Sequence, residues 1–236
     1  MRNDKKTHGL FLLWRRAVLL PVDVYLPHMR RDMHHPEAGV FSYAEINRYC
    51  MTGTPARQRS DVLDELSVAT GRIVSSLDPG LVPVGGAHFG YAITGARDAG
   101  GVAAIRGGIV IADGKVCAAG ECAFGGDESI SRIILTAMRF DPQVRSAAIV
   151  RFTPEMRDLL DDSLMECCSF DPVRTPSGVS TMDWGVASCC KDGVPDAVYD
   201  ARTQNNEPLI SFLGETPADV ANNIIMISNR IIRIEL

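Results

Sequence analysis

Residues Phe124–Glu155, FGGDESISRIILTAMRFDPQVRSAAIVRFTPE, decide the fold. Ile130, Ile133, Ile134 and Ala137 recur at three- and four-residue intervals, which predicts an amphipathic helix with one apolar stripe. Asp127 and Glu128 stand at its start, where carboxylates cap free N–H groups and complement the helix dipole. The run SAAIVRF (146–152) is short and apolar, as a buried strand should be, and Thr153 then starts a helix over Pro154 to Leu160. A glycine turn, a helix, a strand ending in arginine and a second helix in so short a span describe an α/β body.

Outward from this core the same pattern continues. HFGYAIT and GGVAAIRGGIVIADGKVCAAG predict strands, with Asp113-Gly114 as a hairpin turn. MECCSF predicts a further strand, Ala218 to Ile227 a helix, and RIIRIEL (230–236) a closing strand. Toward the N-terminus, a helix starts at Pro55 with Thr54 as its cap and runs to Leu77, where DPG ends it.

Composition bounds the function classes. The 236 residues are 46% apolar and 22% charged, enough for a full core and a small second module. The apolar run LFLLWRRAVLLPV is interrupted by Arg15 and Arg16, so it predicts neither a membrane span nor a signal peptide, and the expected location is the cytoplasm. Seven cysteines include the adjacent pairs Cys167/Cys168 and Cys189/Cys190; with no CxxC, reduced and mostly buried thiols are expected, a soft-metal site built from both pairs being the weaker alternative.

Net charge is −5, but residues 1–60 carry ten Lys/Arg against five Asp/Glu, while the remainder carries 14 against 24. A basic head on an acidic body suggests two modules with different partners, the head facing a phosphate backbone. In FSYAEINRYCMTGTPARQRSDVLDEL (41–66), a short helix over Tyr43 to Cys50, a turn at Gly53 and the helix from Pro55 have the layout of a helix-turn-helix. Arg57, Gln58 and Arg59 would then face DNA; a plain helical hairpin has the same pattern. The expected division is a helical module over 1–65 and an α/β domain over 66–236.

The body resembles the ThiN family of thiamine-phosphate synthase domains. The matching stretches are LVPVGGAHFGYAITGARDAGGVAAI, the opening segment up to Phe152, SFDP, STMDWG, VPDAVYD and NNEPLISFLG, in the family's order over roughly residues 66–220. The resemblance implies a three-layer α/β/α fold with a mixed, largely antiparallel sheet. It also implies a thiamine-related phosphorylated ligand, formed in the enzymes from hydroxymethylpyrimidine diphosphate and thiazole phosphate. With a basic head, the arrangement is similar to the archaeal ThiR-type regulators.

Departures from the family pattern bear on the chemistry. Gly108 stands where the family's catalytic arginine is expected, and Ser129 where its histidine is expected, so no catalytic residue is assigned. The family's carboxylate, amides and lysine are also replaced within 83–88, 149–153 and 205–208, two of them by aliphatic residues that cannot stabilise developing charge. The expected ligand contacts are Arg145, Arg151, Arg106, His88, Asp171 and Glu207. Arg145 and Arg151 flank one strand and would each grip a phosphate or form salt bridges with acids such as Asp171. No cofactor is required; Mg²⁺ would accompany phosphorylated ligands. The expected function is ligand binding without catalysis in a DNA-binding, homodimeric regulator, with an active synthase as the alternative.

Overall fold

The computed structural model describes residues 55–200 and 207–234. The predicted helix over Tyr43 to Cys50, the Gly53 turn and the Thr54 cap lie outside the described residues.

Helix α1, Pro55–Ser76, buries Val62, Leu66, Ala69 and Ile73 at three- and four-residue spacing. It ends where Asp78 accepts the Gly80 N–H at 2.6 Å and Pro79 opens a short 3₁₀ turn. The division expected between residues 65 and 66 falls inside this unbroken helix. Leu66 and Ile73 belong to the same core as Val62, so the described residues before 66 are part of the body.

The strands are β1 His88–Ala92, β2 Val102–Ile105, β3 Ile109–Ala112, β4 Lys115–Ala118, β5 Cys122–Phe124, β6 Ser146–Arg151, β7 Cys167–Phe170, β8 Ala197–Asp200 and β9 Leu209–Gly214. Between them run α2 Glu128–Ala137, α3 Pro154–Asp162 and α4 Thr181–Cys189, and α5 Pro217–Ile234 follows β9. Seven strands form one sheet in the order β5-β2-β1-β6-β9-β8-β7, antiparallel throughout except for the β7–β8 pair. β3 and β4 make a separate hairpin through Asp113 (φ 51) and Gly114 (φ 75), the two left-handed residues that its tight turn needs.

Helices cover both faces. On one face α1, α3 and α5 pack over Phe89, Ala148, Phe212 and Ala197, which lie side by side on four adjacent strands in alternating large and small sizes. On the other, α2 and α4 pack over Ala104, Ala147, Val198 and Leu213. Gly90 lets α2 approach closely: a Cβ there would lie 3.1 Å from Ile134 and 3.2 Å from Ile130. This is the expected three-layer α/β/α architecture with a mixed, largely antiparallel sheet.

Two expectations need correction. The predicted closing strand RIIRIEL is helical as far as Ile234, because Ile224, Ile227, Ser228 and Ile231 continue a buried helical stripe against α1. The cysteines are not all reduced: Cys168 and Cys189 form a disulfide with Cα atoms 5.8 Å apart. Strand alternation explains the choice of partner, since Cys168 faces α4 while Cys167 packs on the opposite face. Of the free thiols among the described residues, Cys190 is buried and Cys117, Cys122 and Cys167 are half-buried.

Candidate functional site

The registers bring one set of strand ends together. His88 opens β1 opposite Ile149 of β6, Arg151 closes β6 opposite Leu209 of β9, and Phe170 closes β7 beside Asp200 of β8. Arg106 follows β2 at this end, and Glu207 precedes β9. Five of the expected ligand contacts, His88, Arg106, Arg151, Asp171 and Glu207, therefore share one end of the sheet.

Arg145 does not join them. β6 is six residues long, so its two flanking arginines stand about 20 Å apart. Arg145 lies over the Tyr91 ring at 4.7 Å, donates to the Tyr91 hydroxyl at 2.6 Å and to the Ala92 carbonyl at 3.0 Å. It closes the opposite rim of the sheet. Asp196 is there too, accepting the Glu166 N–H at 2.9 Å ahead of β8.

At the site end the charges are largely matched. Arg151 Nε donates to Glu207 at 2.5 Å and its Nη1 donates to the Gly80 carbonyl at 3.0 Å. The second Glu207 oxygen accepts the Val84 N–H at 2.9 Å, so this pair clamps the loop before β1 onto β6 and β9. Asp171 caps the turn after β7 through the Val173 N–H at 3.2 Å, with Arg174 at 3.9 Å.

The N-terminus of α2 is occupied by its own chain. Asp127 Oδ1 accepts from Ser129 N at 2.9 Å and Ile130 N at 3.3 Å, and its Oδ2 is bonded to His88 Nδ1. Burial alone would raise the Asp127 carboxyl. The His88 hydrogen bond and charge, with the Ile130 and Ser129 N–H groups, outweigh it and hold the carboxyl below its ordinary value. Glu128 pairs with Arg132 at 3.1 Å, and Arg132 Nε reaches Asp183 on α4 at 2.9 Å. The Asp183 carboxyl is pushed up by burial, against the pull of Arg132. Asp127 and Glu128 are thus spent on the cap and on Arg132, and no group of three His, Cys, Asp or Glu among the described residues converges as a metal set.

One measurable consequence concerns acid. A carboxylate whose folded pKa is lowered contributes stability that is fully present above its unfolded value of about 3.9 and is lost as pH falls through the folded value. Asp127→Asn keeps the cap but removes the charge. It should cost about 1 kcal/mol at neutral pH and make stability less steep in pH below about pH 4, as urea melts across that range would read.

Position 108 is closed to a side chain. Gly108 has φ 72, and a Cβ there would lie 2.5 Å from the Ala87 carbonyl oxygen. The bridge between Ala87 and Ile109, with N–H···O distances of 2.7 Å in both directions, fixes that contact. Two residues earlier, Arg106 is exposed and its guanidinium has no hydrogen-bond or ion-pair partner among the described residues. Its stem runs beside Gly126, where a Cβ would meet Arg106 Cγ at 3.4 Å, one residue from the cap of α2. Ser129 stands exposed on the first turn of α2.

On α1, Arg57 is exposed, Gln58 is half-buried and Arg59 is engaged by the body. The Arg59 guanidinium lies 3.6 Å from the centre of the Phe124 ring and donates to the Gly100 carbonyl at 3.0 Å. Sequence reasoning missed Arg132, although its i,i+4 spacing from Glu128 was the available signal. Among the described residues, no helix is long and apolar enough to cross a membrane.

The chain resembles known proteins over most of this body. It is 28% identical to the bifunctional thiamine biosynthesis protein ThiDN of Methanocaldococcus jannaschii across 96% of the chain, and spans 55% of that protein's length. It is 26% identical to the thiamine-phosphate synthase ThiN of Methanothermobacter thermautotrophicus, over 53% of the chain and 70% of the relative. The crystal structure of the C-terminal domain of protein MJ0236 superposes with a TM-score of 0.69 at 30% identity, covering 75% of this chain and 98% of that one. A C-terminal domain of phosphomethylpyrimidine kinase gives 0.66 at 27% identity, covering 72% of this chain and 99% of that domain. The family model for thiamine-phosphate synthase ThiN matches residues 65–226. That match covers more than half of the chain, and the chain belongs to the ThiN family.

Proposed function

We propose that this chain is a non-catalytic ThiN-type domain that holds thiamine phosphate or its phosphorylated precursors at the end of the sheet carrying His88, Arg106 and Arg151. The observation that carries this reading is the backbone at Gly108. The family position for a catalytic arginine is occupied by a residue whose conformation excludes any side chain, so the charge that would stabilise departing diphosphate has no place to stand. The exposed Arg106 supplies a phosphate contact instead. Mg²⁺, when a diphosphate is bound, enters with the ligand's own oxygens.

The test pairs thermal-shift titration, using thiamine phosphate, thiamine diphosphate and the two precursors, with a synthase assay on the same sample. Stabilisation without turnover supports the reading. Arg106→Ala should weaken thiamine phosphate binding about tenfold while leaving stability within about 0.5 kcal/mol.

The alternative is an active synthase in which Arg106 acts from its neighbouring position, a reading favoured by the synthase named among the relatives. Product formation that Arg106→Ala abolishes would establish it.

The regulatory part of the proposal, a homodimer on DNA, rests on the basic head and on the exposed Arg57, since Gln58 is half-buried and Arg59 is engaged by the body. Salt-dependent retention of a promoter duplex that weakens on Arg57→Ala supports it; no retention at low salt removes DNA from the account.

A further inference from the structure

We propose that Cys168 and Cys189 form a reversible redox latch that holds α4 against β7 and thereby controls the Arg132–Asp183 contact at the site end. The disulfide ties the C-terminal residue of α4 to the second residue of β7 across a 21-residue separation. Between them run the turn capped by Asp171 and the helix that presents Asp183.

Apart from the disulfide, α4 is held by its two buried residues and by the half-buried Met182 and Trp184. Only Gly185 and Val186 are buried within the helix, and Ser180 makes no side-chain cap. Gly185 sits under the Phe170 ring, and Trp184 meets that ring edge-on at 6.2 Å. Without the crosslink, this small set must keep Asp183 beside Arg132, and so Arg132 beside Glu128 at the start of α2.

The neighbouring thiols leave the latch with two clean states. Cys167 faces the other side of the sheet, and Cys190 is buried beside Cys189. Burial pushes the Cys190 thiol up to about 11 and, with Asp196 and Asp161, the Cys167 thiol up to about 11, so neither is a ready nucleophile for internal exchange. The half-exposed Cys168–Cys189 bond remains open to an external dithiol. One thiolate of the dithiol attacks a sulfur of the bond and forms a mixed disulfide; its second thiolate then displaces the protein sulfur. Two electrons and two protons pass to the protein as two thiols, and the reductant leaves as a disulfide.

The experiment compares the full chain treated with diamide against the same protein reduced with dithiothreitol, alongside Cys168→Ser/Cys189→Ser. Alkylation under denaturing conditions should leave two of the seven cysteines unlabelled after oxidation and none after reduction. Hydrogen exchange across residues 171–189 should speed at least tenfold on reduction and in the double variant, and reverse on reoxidation. The midpoint of melting should fall by about 5–10 °C. Exchange that is unchanged between states, or full labelling after diamide, overturns the latch.

Control of the site rests on the ligand reading above and is tested separately. Thiamine phosphate should bind at least threefold more weakly to the reduced protein. Equal binding in both states overturns control of the site. Absence of binding in both states, with altered exchange, supports the latch and overturns the ligand reading.

Discussion

Gly108→Arg, the substitution that would return a guanidinium to the family's catalytic position, is expected to cost about 2–4 kcal/mol of stability and to restore no synthase turnover. Two terms add. A residue with a Cβ at φ 72 carries left-handed strain, and that Cβ would overlap the Ala87 carbonyl oxygen at 2.5 Å. Moving the carbonyl away would break the reciprocal bridge between Ala87 and Ile109 that holds the β3–β4 hairpin to the start of β1. Because the conflict begins at Cβ, Gly108→Ala should cost most of what the arginine costs. Denaturant melts of both variants, with the synthase assay on the arginine form, check this. A stable, active Gly108→Arg protein would show that the backbone yields, and would reopen the enzyme reading.

Phe212→Ala should be the most damaging single change in the sheet, at about 3–5 kcal/mol. Phe212 is fully buried on β9, between Ala148 on β6 and Ala197 on β8, and its ring fills the space that both small neighbours leave. Alanine would leave three small residues in a row, Ala148, position 212 and Ala197, beneath α5. Urea unfolding should show a lowered midpoint with an unchanged slope, as expected for lost packing with the same surface exposed on unfolding. A loss below about 1 kcal/mol would mean that the row repacks.

The fold was legible where periodicity and turn chemistry agreed. The isoleucine stripe of α2, the apolar run of β6 and the Asp113-Gly114 hairpin each follow from side-chain spacing or from a left-handed requirement, and each is found in the structure. RIIRIEL misled because its few residues fit either period in isolation. Only the preceding Ile224 and Ile227 fix the helical phase that carries Ile231 inward.

The site was legible residue by residue but not as a constellation. Six residues of extended chain suffice to separate Arg145 from Arg151, yet the rim to which each belongs depends on strand order. The closure at Gly108 arises from a carbonyl twenty-one positions away, and the disulfide joins a residue of β7 to one at the end of α4, also twenty-one positions apart. Neither contact has a local signature.

The order of strands also has a consequence for how the chain is made. β9 lies between β6 and β8, and α5 packs on α1, so the middle of the sheet is completed by residues about 60 positions later than the β6 residues they pair with. A nascent chain that has emerged as far as β8 therefore carries an unpaired apolar edge along β6 and lacks the Phe212 ring that lies between Ala148 and Ala197. Stalled or truncated translation products of this protein should be customers of chaperones and proteases until β9 threads into its slot.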